Sequence, residues 1–127
     1  MKVKSNFFKR EFDVDIFDKE ENGKLIHVIK HDSLRHVYLN QLTGVKATYH
    51  PVVSDINHSV VMCNITDNKG RSITEVGESL EATLTDDISK NYPTLTAFQR
   101  AFDRAMIAYL DLEGKVLSNQ LFSLVDF

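Results

Sequence analysis

One stretch constrains this chain more than any other: residues 93–114, PTLTAFQRAFDRAMIAYLDLEG. Phe98, Ala101, Phe102, Ala105, Met106, Tyr109 and Leu112 recur at three- and four-residue spacing, which places them on one face of an α-helix. Gln99, Arg100, Asp103, Arg104 and Asp111 fall on the other side, where solvent is expected. Pro93 closes the preceding element, and Thr94 or Thr96 is the expected cap, Thr96 with Gln99 matching a capping box. Gly114 followed by Lys115 is the expected stop. A helix with so broad an apolar stripe needs a surface to cover, and Ala101, Ala105 and Ala108 let that surface come close.

The residues before the helix read as strands. Phe12, Val14 and Ile16 alternate with Asp13 and Asp15, and the polar run 18–23 contains Asn22-Gly23, a strong hairpin signal. Residues 25–30 and 34–39 read as the next two strands, broken by His31-Asp32-Ser33. After a turn at 40–44, the strand at 45–53 contains Pro51, which marks a sheet edge or a bulge. A turn at 54–57 leads to the strongly β segment 59–66, and Asp67-Asn68-Lys69-Gly70 forms a tight loop into a strand at 72–76, ending at Gly77. A short helix opened by Ser79 or Thr83, with Leu80, Leu84 and Ile88 at four-residue spacing, is expected to stop before Pro93.

The order predicts an α+β fold: a five- to six-stranded antiparallel sheet or OB-like barrel, followed by two C-terminal helices, the second long and amphipathic. One domain of residues 1–127 is expected, with a basic arm at 1–10, strands over 12–77, helices over 79–114 and an apolar tail at 115–127. Phe7 and Phe8 in the arm are open to two readings: base stacking, or docking on the domain or on a neighbouring subunit.

Several classes of function are disfavoured. No apolar run approaches the ~20 residues needed to cross a bilayer, so no membrane partner is expected. The basic start MKVKSNFFKR lacks the apolar core of a signal peptide, and the lone Cys63 fits a reducing, cytoplasmic setting. Cys63 alternates with Val61 and Ile65, the pattern of a small buried apolar residue. His27 and His31 have no cysteine or carboxylate at ligand spacing, so neither a metal nor another cofactor is expected. Nucleophile and phosphate-loop motifs are missing, and Glu81 reads as a helix-start charge rather than as half of an acid–base pair. A non-catalytic protein is therefore expected.

The formal charge of −3 hides a banded distribution, with a basic stretch over residues 24–50. If residues 34–39 form a strand beside 45–53, with Val37, Leu39, Val45 and Ala47 in the core, then His36, Tyr38, Lys46 and His50 project outward together and Arg35 lies at an edge. Such a face is open to two readings: ordinary cross-strand pairs, or a platform on which single-stranded nucleic acid stacks its bases.

A resemblance adds to the second reading. KGRSITEVGE (residues 69–78), a polar spacer and AFQRAFDRAMIAYLDLEG resemble, in order and type, phage-type single-stranded-DNA-binding proteins and, more weakly, the Rad52-like annealing proteins. In the latter a glycine-ended strand leads into an alanine- and arginine-rich helix; the matching positions here are Arg71, Gly77, Ala97, Arg100, Ala101, Arg104, Ala105 and Gly114. The match covers about a third of the chain, which is acidic overall and lacks the helical start of annealing proteins. The ending Val125-Asp126-Phe127 is reminiscent of the tails of bacterial single-strand binders.

The resemblance implies a homo-oligomeric single-stranded-DNA-binding protein of phage or mobile-element origin, acting in replication or recombination. Annealing of complementary strands is the first alternative, and a module binding a host replication or recombination protein is the second. Phosphates are expected at Arg35, Lys46, Arg71, Arg100 and Arg104, with His36 alongside and with Tyr38 or Tyr49 stacking bases. Binding is then expected to weaken steeply with salt. Asp103 and Asp111 lie near the two helix arginines, so surface ion pairs account for these about as well, and the strands carry the stronger expectation.

Overall fold

Gly77 sets the architecture. A Cβ built there would fall 2.2 Å from the backbone nitrogen of Ala101 and 2.3 Å from the carbonyl oxygen of Ala97, so a strand and a helix touch backbone to backbone at this point. The strand is β7 (Ser72–Leu80), and the helix is α2 (Pro93–Tyr109). The computed structural model of the chain describes residues 2–5, 10–21, 23–54, 58–80, 93–112 and 117–118.

Among these residues the strands pair into three sheets. β1 (Lys2–Ser5) and β2 (Arg10–Asp13) form an antiparallel ribbon. β3 (Ile16–Glu21) and β4 (Lys24–Ile29) form a hairpin around Gly23, whose φ of 78° is the left-handed value that an Asn-Gly turn supplies. The tail returns as β8 (Leu117–Ser118), parallel to β4 at Val28 and Ile29. The third sheet is the antiparallel meander β5 (Val45–Ser54), β6 (His58–Asp67) and β7. The α+β class and the antiparallel meander are as expected, whereas no single five- or six-stranded sheet and no closed barrel joins these strands among the described residues.

Alternation decides the faces of the meander. Ser59, Val61, Cys63 and Ile65 are buried beneath α2, while Val60, Met62, Asn64 and Thr66 turn away from it. On the far face Asn64 donates to Ser72 Oγ and Thr74 Oγ1, each at 2.8 Å, a polar ladder suited to solvent. Pro51 sits on edge strand β5 at a register shift between Pro51 and Val53, as its lack of an N–H requires.

Four expectations are corrected. First, residues 34–39 are helical: α1 (His31–His36) continues into a π-helical turn, Val37–Gln41. Its buried residues His31, Leu34 and Val37 recur at three-residue spacing, with half-buried Tyr38 four beyond Leu34, and Asp32 lies in the first turn with Arg35 and His36 in the last. Gln41 fastens the turn by pairing both its amide groups with the backbone of Asp13 (3.0 and 3.1 Å). Second, β7 does not end at Gly77 but runs through it to Leu80; the glycine marks helix contact, not strand end.

Third, α2 begins at Pro93 itself, a first-turn position where the missing N–H costs nothing, so Thr96 lies inside the helix and is buried. It also stops earlier than residue 114. Asp111 takes a left-handed φ of 58°, Asp111 N–H donates to Ala108 O (3.1 Å), and Leu112 N–H donates to Ile107 O (2.9 Å), the paired bonds of a Schellman ending. Fourth, α2 is not a helix with one wet face. The meander covers one side, while Phe12, Val14, Ile29, Leu34 and Val37 join the same core on the other. Arg100 (1 % exposed) and Asp103 (0 %) are therefore buried, and Arg104 is left outside. Ser79 and Leu80, expected at the start of a short helix, belong to β7, while Thr83, Leu84, Ile88, Gly114 and the ending 125–127 lie outside the described residues.

Candidate functional site

The arginines named from sequence serve the seam between β7 and α2. Arg71 sends its guanidinium to the carbonyls of Tyr109 and Ala108 (3.5 Å to the latter) and lies 4.9 Å from the centre of the Tyr109 ring. A cation there adds donors to carbonyls at the helix end and meets the negative end of its dipole. Arg100 donates to Glu78 O at 2.9 Å and Arg104 to Val76 O at 3.4 Å, stitching the helix along the strand. Gly77, Ala97 and Ala101 provide the close approach between those bonds. Arg71, Gly77, Ala97, Arg100, Ala101 and Arg104 thus serve the packing of α2 on β7.

The hairpin loop completes this corner. Tyr109 donates its hydroxyl to Asp67 Oδ2 (2.9 Å), and Asp67 Oδ1 accepts the N–H groups of Lys69 (2.9 Å) and Arg71 (3.0 Å). Desolvation pushes the Asp67 carboxyl up, but the Tyr109 and backbone hydrogen bonds, with the Arg71 charge, outweigh it and hold the group below its ordinary value. Burial first, then Asp67, pushes the Tyr109 phenol up to about 12.

A different set of predicted residues converges elsewhere. Arg35 from α1, Tyr38 from the π-helical turn and Tyr49 from β5 line one cleft of about 470 Å³ against the first half of α2. Phe98 and Phe102 form the α2 side, with Gln99 beside them. Tyr38 meets Phe102 edge-on (centroids 5.7 Å apart, 85°), and Tyr49 leans on Phe98 at 5.0 Å and 53°. Leu39 and Leu95, 64 % and 51 % exposed, stand at the rim. Tyr38 cannot join the outward face imagined for a strand, because helical backbone turns its ring inward, where its hydroxyl accepts the Ala47 N–H at 3.0 Å. That bond also occupies part of the open edge of β5.

His31 also lines the cleft. Its Nδ1 lies 2.5 Å from Asp103 Oδ1, a buried contact spanning 72 residues of sequence, and its ring meets Phe102 edge-on at 5.9 Å. A carboxylate at Nδ1 accepts that N–H and fixes the orientation of the imidazole. Tyr49 is tied to the Cys63 thiol on the neighbouring strand; its phenol is raised above the usual tyrosine range, by burial first and then by Cys63. Burial likewise lifts the Cys63 thiol to about 12, despite the hydrogen bond with Tyr49. At neutral pH the cleft therefore presents the un-ionised Tyr49 phenol beside the rings of Tyr38, Phe98 and Phe102 and the side chains of His31 and Arg35.

No family model matches the chain, and no curated protein matches it.

His36 and Lys46 lie apart from this cleft. His36 is exposed, sits 3.3 Å from Gln41, and faces a second hollow with Asp13, Asp15 and Asp32. Lys46, opposite Thr66 in register, is exposed on the face of the meander away from α2, as its alternation with Val45 and Ala47 required. Sequence reasoning missed His31, Phe98, Phe102, Leu95 and Gln99 as cleft residues. The signal for His31 was present: Leu34, Val37 and Tyr38 follow it at helical spacing. Among the described residues no three His, Cys, Asp or Glu side chains are grouped to hold a metal, and no helix is long and apolar enough to cross a membrane.

Proposed function

We propose that this chain is a non-catalytic single-stranded-DNA-binding protein of the phage or mobile-element type, acting in replication or recombination. The observation that carries the reading is the convergence of Arg35, Tyr38 and Tyr49, from three segments of the chain, on one aromatic cleft. A flat base is held by ring contacts worth on the order of 1–3 kcal/mol, and Arg35 at the same cleft meets a phosphate. Arg71, Arg100 and Arg104 are engaged with backbone carbonyls, and Lys46 faces elsewhere. The salt dependence proposed is accordingly shallow, with a slope of about −0.7 per phosphate contacted and one or two contacts in all. Fluorescence anisotropy with oligo-dT across a salt series tests this. Sequence-tolerant binding to single strands, several-fold weaker for duplex, is expected; no binding at low salt, or equal affinity for duplex, removes the proposal.

A second reading, annealing of complementary strands by an oligomer, is favoured by the β7–α2 seam. Gly77, Ala97, Arg100, Ala101 and Arg104, which the resemblance matches to the Rad52-like pattern, dock the helix on the strand, and this supports the reading. Faster pairing of complementary dye-labelled strands, together with a multimer by light scattering, selects annealing over simple coating; an unchanged pairing rate discards it.

A further inference from the structure

We infer that Gln99 reads the Watson–Crick edge of the base held in the cleft, so that the cleft takes an unpaired base of any identity and refuses a paired one. This rests on the nucleic-acid reading of the cleft and adds to it the group that tells single strands from duplex.

The helix places Gln99 for that task. Leu95, Phe98, Gln99 and Phe102 recur along α2 at three- and four-residue spacing, and all four line the cleft. The Gln99 side chain is half-buried, one turn from Leu95 and one from Phe102, and it follows the Phe98 ring on which Tyr49 leans. A base lying on these rings spends its face on them and leaves its edge for a polar neighbour.

The other polar side chains of the cleft divide by what the fold asks of them. Tyr38 accepts the Ala47 N–H, Tyr49 is tied to Cys63, and His31 meets Asp103. Among the described residues the side chains of Arg35 and Gln99 make no hydrogen bond or ion pair, which leaves these two for a ligand. Arg35, a fork of donors carrying positive charge, matches a phosphate. A phosphate offers acceptors only and would leave the Gln99 carbonyl oxygen unmatched. A carboxamide is complemented by a donor and an acceptor side by side.

Every base presents such a pair on its Watson–Crick edge: N3–H beside O4 in thymine, N4–H beside N3 in cytosine, N6–H beside N1 in adenine, N1–H beside O6 in guanine. The amide matches each of them, because turning it over exchanges its donor and its acceptor. One residue therefore gives sequence tolerance and strand selectivity together. In a duplex the same edge is closed by the complementary base, and only a base out of its pair can meet Gln99. The contact joins neutral groups, so salt does not screen it as it screens the contact of Arg35 with a phosphate.

Anisotropy is measured on the full chain with dye-labelled oligo-dT and with the same oligomer built from N3-methylthymidine, which keeps the ring but lacks the N3–H. The native protein is expected to bind oligo-dT about five- to tenfold tighter than the methylated strand, with that ratio unchanged across a salt series. Oligo-dA and oligo-dC should bind within about threefold of oligo-dT. Gln99→Met keeps the length of the side chain without its amide; it should unfold at the parent's Tm and bring the ratio between the two thymine strands to within about twofold. Equal affinity of the native protein for both thymine strands, or a preference of about tenfold for one base, overturns the inference while single-strand binding stands. A ratio that persists undiminished in Gln99→Met places the edge contact on another group and overturns it too. Binding of no oligomer removes the nucleic-acid reading, and the inference with it.

Discussion

Replacing Gly77 with alanine asks whether the helix–sheet contact is as close as it is drawn. The new Cβ would lie 2.2 and 2.3 Å from backbone atoms of Ala101 and Ala97, where ordinary contact begins near 3.4 Å, so α2 must retreat by about an ångström. The obstacles are backbone atoms, and no rotamer change or truncation of a neighbouring side chain relieves them. Retreat also lengthens the bond from Arg100 to Glu78 O, now 2.9 Å, at a buried arginine. Overpacking costs typically 1–3 kcal/mol and more where a rigid element must move, which sets the expectation at roughly 2–4 kcal/mol. For a chain of 127 residues this lowers Tm by about 7–15 °C. Urea and thermal unfolding followed by circular dichroism measure it. Gly70→Ala is the control: its φ of 91° is strained for alanine, but nothing lies within 4 Å, so about 1 kcal/mol is expected. A Gly77→Ala protein within 0.5 kcal/mol of the parent, or no worse than Gly70→Ala, would refute the close-approach argument.

Three further outcomes follow from the same contacts. Arg100→Gln should lower stability by roughly 1–3 kcal/mol, measured in urea, while oligonucleotide affinity of the folded fraction stays within twofold; a selective loss of affinity would return Arg100 to the binding surface. Asp67 has a depressed native pKa, so its contribution is present above the carboxyl's unfolded value and is lost as pH falls through the native one. Asp67→Asn should therefore be less stable than the parent at pH 7 and approach it in acid; a constant gap in Tm from pH 7 to about 2.5 contradicts the assignment. Cys63 is raised from 9.0 to about 12, so its contribution is complete below pH 9.0 and is lost as pH climbs toward 12. Cys63→Ala should show a shallower alkaline decline than the parent, and identical slopes would show that the thiol is not what burial resists ionising.

The helix at residues 93–109 and the hairpin turns at Gly23 and Gly70 were legible because their signals are local, whereas the pairing of residues 2–5 with 10–13 was not. Apolar spacing on the helix, Asn22-Gly23 and the Asp67–Gly70 loop each determine backbone conformation within a few residues. The segment 34–39 was misread for an equally local reason. Six residues of mixed polarity satisfy both periods, and the tie is broken by what they touch: Leu34 and Val37 enter the core shared with α2, and Gln41 binds the Asp13 backbone. Once the segment became helical, Tyr38 moved from an outward platform to a cleft wall, and His31 moved from a loop to the cleft beside Arg35.

The sequence by itself determined that a long amphipathic helix follows a β meander, that Cys63 and Ile65 point inward, and that Pro51 lies on an edge. These follow from periodicity and from what each residue's backbone permits. Tertiary structure alone decided which side of the helix is wet, because burial on the second side comes from Phe12, Val14 and Ile29, some 70 to 90 residues away in sequence. It likewise paired His31 with Asp103 across 72 residues and assigned the arginines to carbonyls rather than to solvent. No pattern within one segment encodes such meetings: a charged side chain reads the same whether its partner is water, a helix end or a phosphate, and only the folded chain chooses among them.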